Sequence, residues 1–330
     1  MTPSGEIKTA LSDLRDRALK SFHSLRNKMG ESFNRDVLTA INLFQSLIKP
    51  ILLYSSDFWG CLKLPKDNPI ETLHMRICKQ ILGVQRQTTN IGVLLELGRI
   101  PLNIYGIKQA VKNWERIKKG NANPVLLSSY NDAMKENLAW VNGLKTHLEK
   151  NGMLSLFINC YANKPDFIHK KLLQTLSDEF HQEAFASIKE ERSKLRTYAL
   201  IKTDIGLEKY LIEIKHIGMR ISLSRFRLSN HKLMIEIGRH NKIPLEQRYC
   251  PFCHDKVETE IHFLVSCPIY SFMRARLLVF VNINPLFSHY TEEQKFIYLM
   301  SDIHKKEIAD FIHKSLELRA FLSVLPKQQG

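Results

Sequence analysis

The chain has 330 residues, 44% hydrophobic and 25% charged, with 14 Gly and 12 Pro; these globular values exclude a low-complexity polymer and allow two domains with separate cores. Lys and Arg number 48 against 33 Asp and Glu, and the net charge of +15 favours an anionic partner, either nucleic acid or an anionic membrane surface. No run reaches the roughly 18 uninterrupted apolar residues of a membrane span, and charges scattered between Met1 and Gly30 exclude a signal peptide, so a soluble protein of nucleus or cytoplasm with no membrane partner is expected.

Apolar residues recur from Ile7 through Leu11, Leu14, Ala18, Phe22, Leu25 and Met29 in steps of three and four, which predicts an amphipathic helix stopped at Gly30. Val37, Ile41, Phe44, Leu47 and Ile48 resume the period up to Pro50, where the second helix should kink or end. Ile51 to Gly60 is apolar and aromatic without a clear period, and stays open between a buried helix and a short extended segment. Helices are expected around Ile70, Leu73, Ile77 and Ile81 up to Gly83, from Asn90 to Leu97 before Gly98, and after Pro101 with Leu102, Ala110, Trp114 and Ile117.

Gly120 to Pro124 is a punctuated stretch and the best boundary in the first half. Beyond it, Tyr130, Met134, Leu138, Val141, Leu144 and Leu148 predict one long helix ending at Asn151 and Gly152. Shorter helices follow at 166–176, 180–188, 195–201 and 207–217. After Cys267, Tyr270, Met273, Leu277 and Phe280 continue a helix, and two more lie at 292–300 and 306–322. The expectation is a mostly α protein in four consecutive regions, 1–120, 121–192, 193–290 and 291–330.

Cys250 and Cys253 are separated by two residues, eight more lead to His262 and four more to Cys267. Three thiolates and an imidazole at that spacing make a complete tetrahedral zinc set with no open position, so the metal should be structural. Unrelated buried thiols would be the plainer explanation, but three of six cysteines in this short stretch argue against it. His254 competes with His262 as ligand; it follows Cys253 directly, which strains a chelate, and His262 is preferred. Cys61, Cys78 and Cys160 are far apart and read as reduced core thiols.

From Arg220 to Arg248 there are seven Lys or Arg against two Glu, a basic approach to the knuckle. Arg225, Arg227, Lys232, Arg239 and Arg248 are the candidates for phosphate contacts, with a solvated face equally open for each. Tyr249 and Phe252 suit either stacking on single-stranded bases or packing of the knuckle. No P-loop, Gly-x-Ser-x-Gly elbow or His-Glu-x-x-His helix occurs, and no Asp-Asp pair; Glu190 and Glu191 belong to a charged run. Catalysis by this chain alone is therefore not expected.

Two regions resemble the C-terminal part of LINE-type (non-LTR) retrotransposon reverse transcriptases. One runs from Leu47-Ile-Lys-Pro-Ile-Leu-Leu-Tyr54 through Phe58-Trp-Gly60, Ile81-Leu-Gly-Val84 and Leu95-Glu-Leu-Gly-Arg-Ile-Pro-Leu102, which the resemblance makes the helical thumb. The other runs from Ser193-Lys-Leu-Arg-Thr-Tyr198 through Ser229 to Arg239, then Arg248, Cys250, Cys253, Glu260-Ile-His-Phe263 and Cys267-Pro-Ile-Tyr270, which it makes the zinc-binding segment. It implies the same ligands, Cys250, Cys253, His262 and Cys267, and places Met1 to Met29 just after the polymerase palm. The family's palm aspartates and endonuclease are missing, so what carries over is the handling of RNA or DNA, alone or beside a separately encoded reverse transcriptase. A zinc-stabilised protein-interaction module and a functionless retrotransposon remnant are the alternatives.

Overall fold

A computed structural model describes residues 7–30, 32–65, 67–118, 123–158, 167–190, 193–280, 285–301 and 304–324. Among them the chain is mostly α, as its periodicity predicts, with no strand. Cys160, Glu191, Asp166 and most of the expected 120–124 boundary lie outside the described residues. The fold divides into two compact units: Met1–Gly30, Ile41–Ile77 and Arg99–Ala184 form unit 1, while Glu31–Ala40, Cys78–Gly98 and Phe185–Gly330 form unit 2.

Helix α1 (Ile7–Met29) buries Leu11, Leu14, Ala18 and Phe22, the stripe its period marks. It stops at Gly30, whose φ of 52° lies in the left-handed region glycine enters without penalty. After α2 (Ser32–Arg35) and α3 (Val37–Leu43), the chain does not break at Pro50. A π turn over Phe44–Ile48 leads directly into α4 (Lys49–Leu52). Pro50 has no N–H and its ring crowds the carbonyl four residues earlier, that of Ser46; the wider π turn falls where this carbonyl must give way. The undecided stretch after it is helical, with Ser55 at φ 55° between α4 and α5 (Ser56–Trp59).

Helices α6 (Pro69–Leu82), α7 (Asn90–Glu96) and α8 (Leu102–Lys118) lie where the sequence puts them. In unit 1, α5 meets α8 at Gly60, where a Cβ would stand 2.1 Å from the carbonyl oxygen of Gly106. Only a residue without a side chain admits that approach. Trp114, Val141, Leu144, Leu148 and Leu172 form the unit's core, and Trp114 Nε1 donates to the Tyr130 hydroxyl at 3.2 Å.

Two expectations change here. The long stripe from Tyr130 to Leu148 is broken into α9 (Pro124–Lys135) and α10 (Ala139–Lys150), because Asn137 turns left-handed at φ 51°. Asn tolerates that conformation better than most residues, and apolar period alone does not reveal it. After α11 (Leu154–Ile158), the two helices expected at 166–188 are one, α12 (Ile168–Ile188). Its first turn is capped from a distance: Glu115 Oε1 accepts from the Ile168 and His169 amides at 2.8 and 3.2 Å.

Unit 2 contains α13 (Arg196–Ile201), α14 (Tyr210–Glu213), α15 (Ile217–Arg227), α16 (Met234–His240), α17 (Ser271–Phe280), α18 (Glu292–Leu299) and α19 (Lys305–Val324). Phe226 of α15 lies against Phe263 and Phe296, and Phe263 meets Tyr270 and Phe311 of α19, an aromatic core with edge and tilted contacts. Beside it sits a buried charge network. Arg227 Nε donates to Glu96 Oε1 at 2.7 Å and Nη2 to Glu208 Oε2 at 2.9 Å, while Lys202 pairs with the other Glu208 oxygen. Tyr210 adds its hydroxyl to Glu96 at 2.6 Å. Two acids and two cations balance, which is the condition under which buried charge is tolerated.

Replacing Arg227 by Ala leaves the buried Glu96 without its cation, while Glu208 keeps Lys202. The expected loss is about 3 to 5 kcal/mol, read as a lower urea midpoint at unchanged slope. Arg227→Lys keeps the charge without the fork and recovers only part of this loss.

Candidate metal centre

The site begins with a tight turn. Tyr249 pairs antiparallel with Val257, Cys250 N donates to Lys256 O at 2.9 Å and Glu258 N to Arg248 O at 2.9 Å, so the ends of the loop are pinned together. His254, at φ 56°, reverses the chain between them and donates its amide to Cys250 O at 3.0 Å. Cys250 and Cys253 thereby face one point. The second pair comes from the next element: Thr259 Oγ1 accepts from His262 N at 3.0 Å, and a π turn over His262–Ser266 ends with Cys267 N donating to His262 O at 2.8 Å.

The Sγ atoms of Cys250, Cys253 and Cys267 and a ring nitrogen of His262 lie within 4.8 Å of one another. Cys250 and Cys267 sulfurs are 3.9 Å apart, and Cys253 Sγ is 3.3 Å from His262 Nε2. A tetrahedral ion at about 2.3 Å from sulfur and 2.0 to 2.1 Å from nitrogen gives edges of about 3.5 to 3.8 Å, so the four donors fit one ion. Cys250, His262 and Cys267 are buried and Cys253 is half-buried. His254 is exposed and outside the group, which settles the choice between the two histidines.

Without a cation the cluster is a hydrogen-bonded set of thiols. The Cys250 thiol is pushed up to about 12, first by its hydrogen bond with Cys267 and then by burial, while the same bond lowers Cys267. A bound cation reverses this, because it favours thiolate at every sulfur. With Nε2 facing the ion, His262 has its Nδ1–H left to donate to Ser266 Oγ at 3.2 Å, which fixes the ring and its tautomer.

Behind the donors is a shell that ligand spacing does not reveal. Glu258 Oε1 is 3.7 Å from Cys250 Sγ, and its other oxygen accepts from Arg319 Nη2 at 2.9 Å and from Met234 N at 2.6 Å. Arg319, from α19, offsets the negative charge gathered there, and its guanidinium lies 5.0 Å from the Phe252 ring centre. Arg274 ties the second half down by donating to Leu264 O and Cys267 O, both at 2.8 Å. Arg274 follows Cys267 by seven residues, whereas Arg319 lies far down the chain and no local pattern points to it.

The five basic candidates fall into different settings. Lys232 is exposed, though its carbonyl accepts from Arg319 at 3.0 Å. Arg225 is exposed and donates from Nε to Gly83 O at 2.8 Å, and Arg239 is exposed but paired with Glu236 at 2.9 Å. Arg248 is half-buried and spends its guanidinium on Ile243 O and Ile235 O, at 2.9 and 3.1 Å. Arg227 is the correction: only 6% exposed and paired with Glu96 and Glu208, it is withdrawn from any surface ligand. Of the two aromatics, Tyr249 is 49% exposed while Phe252 is half-buried beneath Arg319.

Comparison with known proteins gave no match to a family model, to a curated protein or to a solved structure.

Metal analysis of the purified chain should find about one ion per molecule, a value that Cys250→Ser or His262→Ala sharply reduces and His254→Ala leaves in place. Retention of the ion by the His262 variant would transfer the ligand role elsewhere.

Proposed function

We propose that this chain binds RNA or DNA, that its metal is structural zinc, and that it corresponds to the thumb and zinc-bearing C-terminal part of LINE-type reverse transcriptases. The observation that carries the reading is the closed Cys250, Cys253, His262, Cys267 site set directly after a basic segment. Three sulfurs and one imidazole in a tetrahedral arrangement suit zinc, which has no geometric preference of its own and is held by such sets in small folded modules. With four protein donors there is no open position for water or substrate, so zinc contributes folding energy, about 10 to 16 kcal/mol in finger peptides, and no chemistry.

The knuckle offers a surface rather than a pocket. Lys232, Arg239, His240, Lys242 and Lys256 are exposed on or near it, and Tyr249 stands beside Cys250 with its ring accessible. Cations on a rigid frame bind phosphates with little sequence preference, and an exposed ring gives a face for an unpaired base. The order of sequence phrases from Leu47 to Tyr270 supports the family correspondence. On this reading these 330 residues handle nucleic acid, and polymerisation belongs to a palm that they do not contain.

A second reading has one observation in its favour. Phe272 and Val279, 76% and 81% exposed, stand seven residues apart on α17 and so share a face, which suits a protein partner.

A salt titration separates the two. Nucleic-acid affinity should fall with a logarithmic slope of about −0.9 per phosphate neutralised on duplex DNA, and Arg239→Gln or Lys242→Gln should each reduce the slope by about one contact. Absence of binding to RNA and DNA at ~50 mM salt removes the nucleic-acid reading and leaves the protein-interaction one.

A further inference from the structure

Unit 1 carries a cluster of cations that, among the described residues, forms no ion pair with a carboxylate. Lys49 opens α4 directly after the π turn, and its Nζ lies 3.2 Å from the centre of the Tyr105 ring. Lys108 follows Tyr105 by three residues on α8, hence on the same face one turn further on. Arg99, just before α8, stacks its guanidinium 4.6 Å from the Phe44 ring centre and donates from Nε to His74 Nε2 at 3.2 Å. Phe44 begins the π turn that ends beside Lys49, which brings Arg99 to the same side.

Glu71 bonds to the same His74 that Arg99 meets, and its oxygens are already engaged. One meets His74 Nδ1 at 2.9 Å and the other accepts from Leu102 N at 2.8 Å. Among the described residues, no ion pair joins a carboxylate to Lys49, Arg99 or Lys108. Burial, and after it the charges on Arg99 and Lys108, pull the Lys49 ammonium down to about 8. A half-buried ammonium facing two further cations is an unfavourable arrangement that an anion would relieve.

We infer that Lys49 and Lys108, with the buried Arg99 adding positive potential behind them, form a binding site for a phosphate-type oxyanion on unit 1. The ring of Tyr105 holds the Lys49 stem and ammonium in place by a cation–π contact, so the site is arranged before its ligand arrives. Lys49 and Lys108 supply point charges to a tetrahedral anion, and Arg99 adds to the positive potential from behind. The oxyanion belongs either to a free phosphate or to a phosphodiester backbone. The site uses none of the residues around the metal centre and does not rest on the nucleic-acid reading.

The test is competitive acylation of the full-length, metal-loaded chain with trace acetic anhydride, in inorganic phosphate, in a short single-stranded oligonucleotide or in chloride of equal ionic strength. Lysine labelling is then read by mass spectrometry. An anion beside Lys49 raises its pKa by about one unit, which lowers the free-amine fraction and its labelling about tenfold near neutral pH. Exposed Lys63 should label equally in all three, and Lys108→Gln should abolish protection of Lys49. Protection by phosphate assigns the site to a small anion, and protection by the oligonucleotide alone assigns it to a phosphodiester; either supports the site. Equal Lys49 labelling in all three conditions overturns it. Where Lys49 reacts too slowly to read, the melting shift between phosphate and chloride decides: it should be present in the native chain and absent in Lys49→Gln, and no shift in the native chain refutes the site.

Discussion

A carboxylate taken out of water costs several kcal/mol unless a cation and hydrogen bonds replace its hydration, and unit 2 is arranged around meeting that demand. Glu96, Glu236, Glu258 and Glu260 are all at most 2% exposed. Each is met by an arginine from elsewhere in the chain: Glu96 by Arg227, Glu258 by Arg319, and both Glu236 and Glu260 by Arg196. His231 and Ser229 complete the shell of Glu260 at 3.0 and 3.1 Å. Such pairs add little net stability over apolar packing, but a wrong register strands a charge in the core. Their effect is to exclude alternative arrangements of α13, α15, α16 and α19.

The metal centre is attached to this frame and not merely adjacent to it. Glu258 belongs to the ligand loop, touches Cys250 and is held by Arg319, so the far end of the chain fixes the back of the site. Glu260, two residues before His262, is tied to α13 through Arg196. Four donors could be gathered by a short peptide around an ion; here they are also gathered by the fold, which lowers the entropy lost when the ion binds.

Much of this was legible in the sequence because it was local. Gly30, Gly83 and Gly98 end helices with positive φ, as their positions after apolar periods indicate, and the four ligands follow from spacing and from the strain that a ligand directly after Cys253 would bring. What was not legible depends on distant partners. Arg227 sits in a basic stretch and reads like its neighbours until Glu96, far upstream, is brought to it. Pro50 marks a break by its own chemistry, yet a π turn absorbs it, and Asn137 splits a stripe whose apolar period never lapses. The same limit hid Lys49, whose distinctive setting is made by Tyr105 and Arg99 and not by the residues beside it.

Cys253 is the one donor of the four that is not fully buried, and this gives the metal site a front and a back. Cys250 and Cys267 are buried beside Glu258, Arg319 and Arg274, whereas Cys253 is half-buried at the turn. With an ion bound, a chelator or an oxidant would meet Cys253 before the three buried donors. Exchange of that ion and oxidation of its sulfur ligands would then begin at one and the same residue.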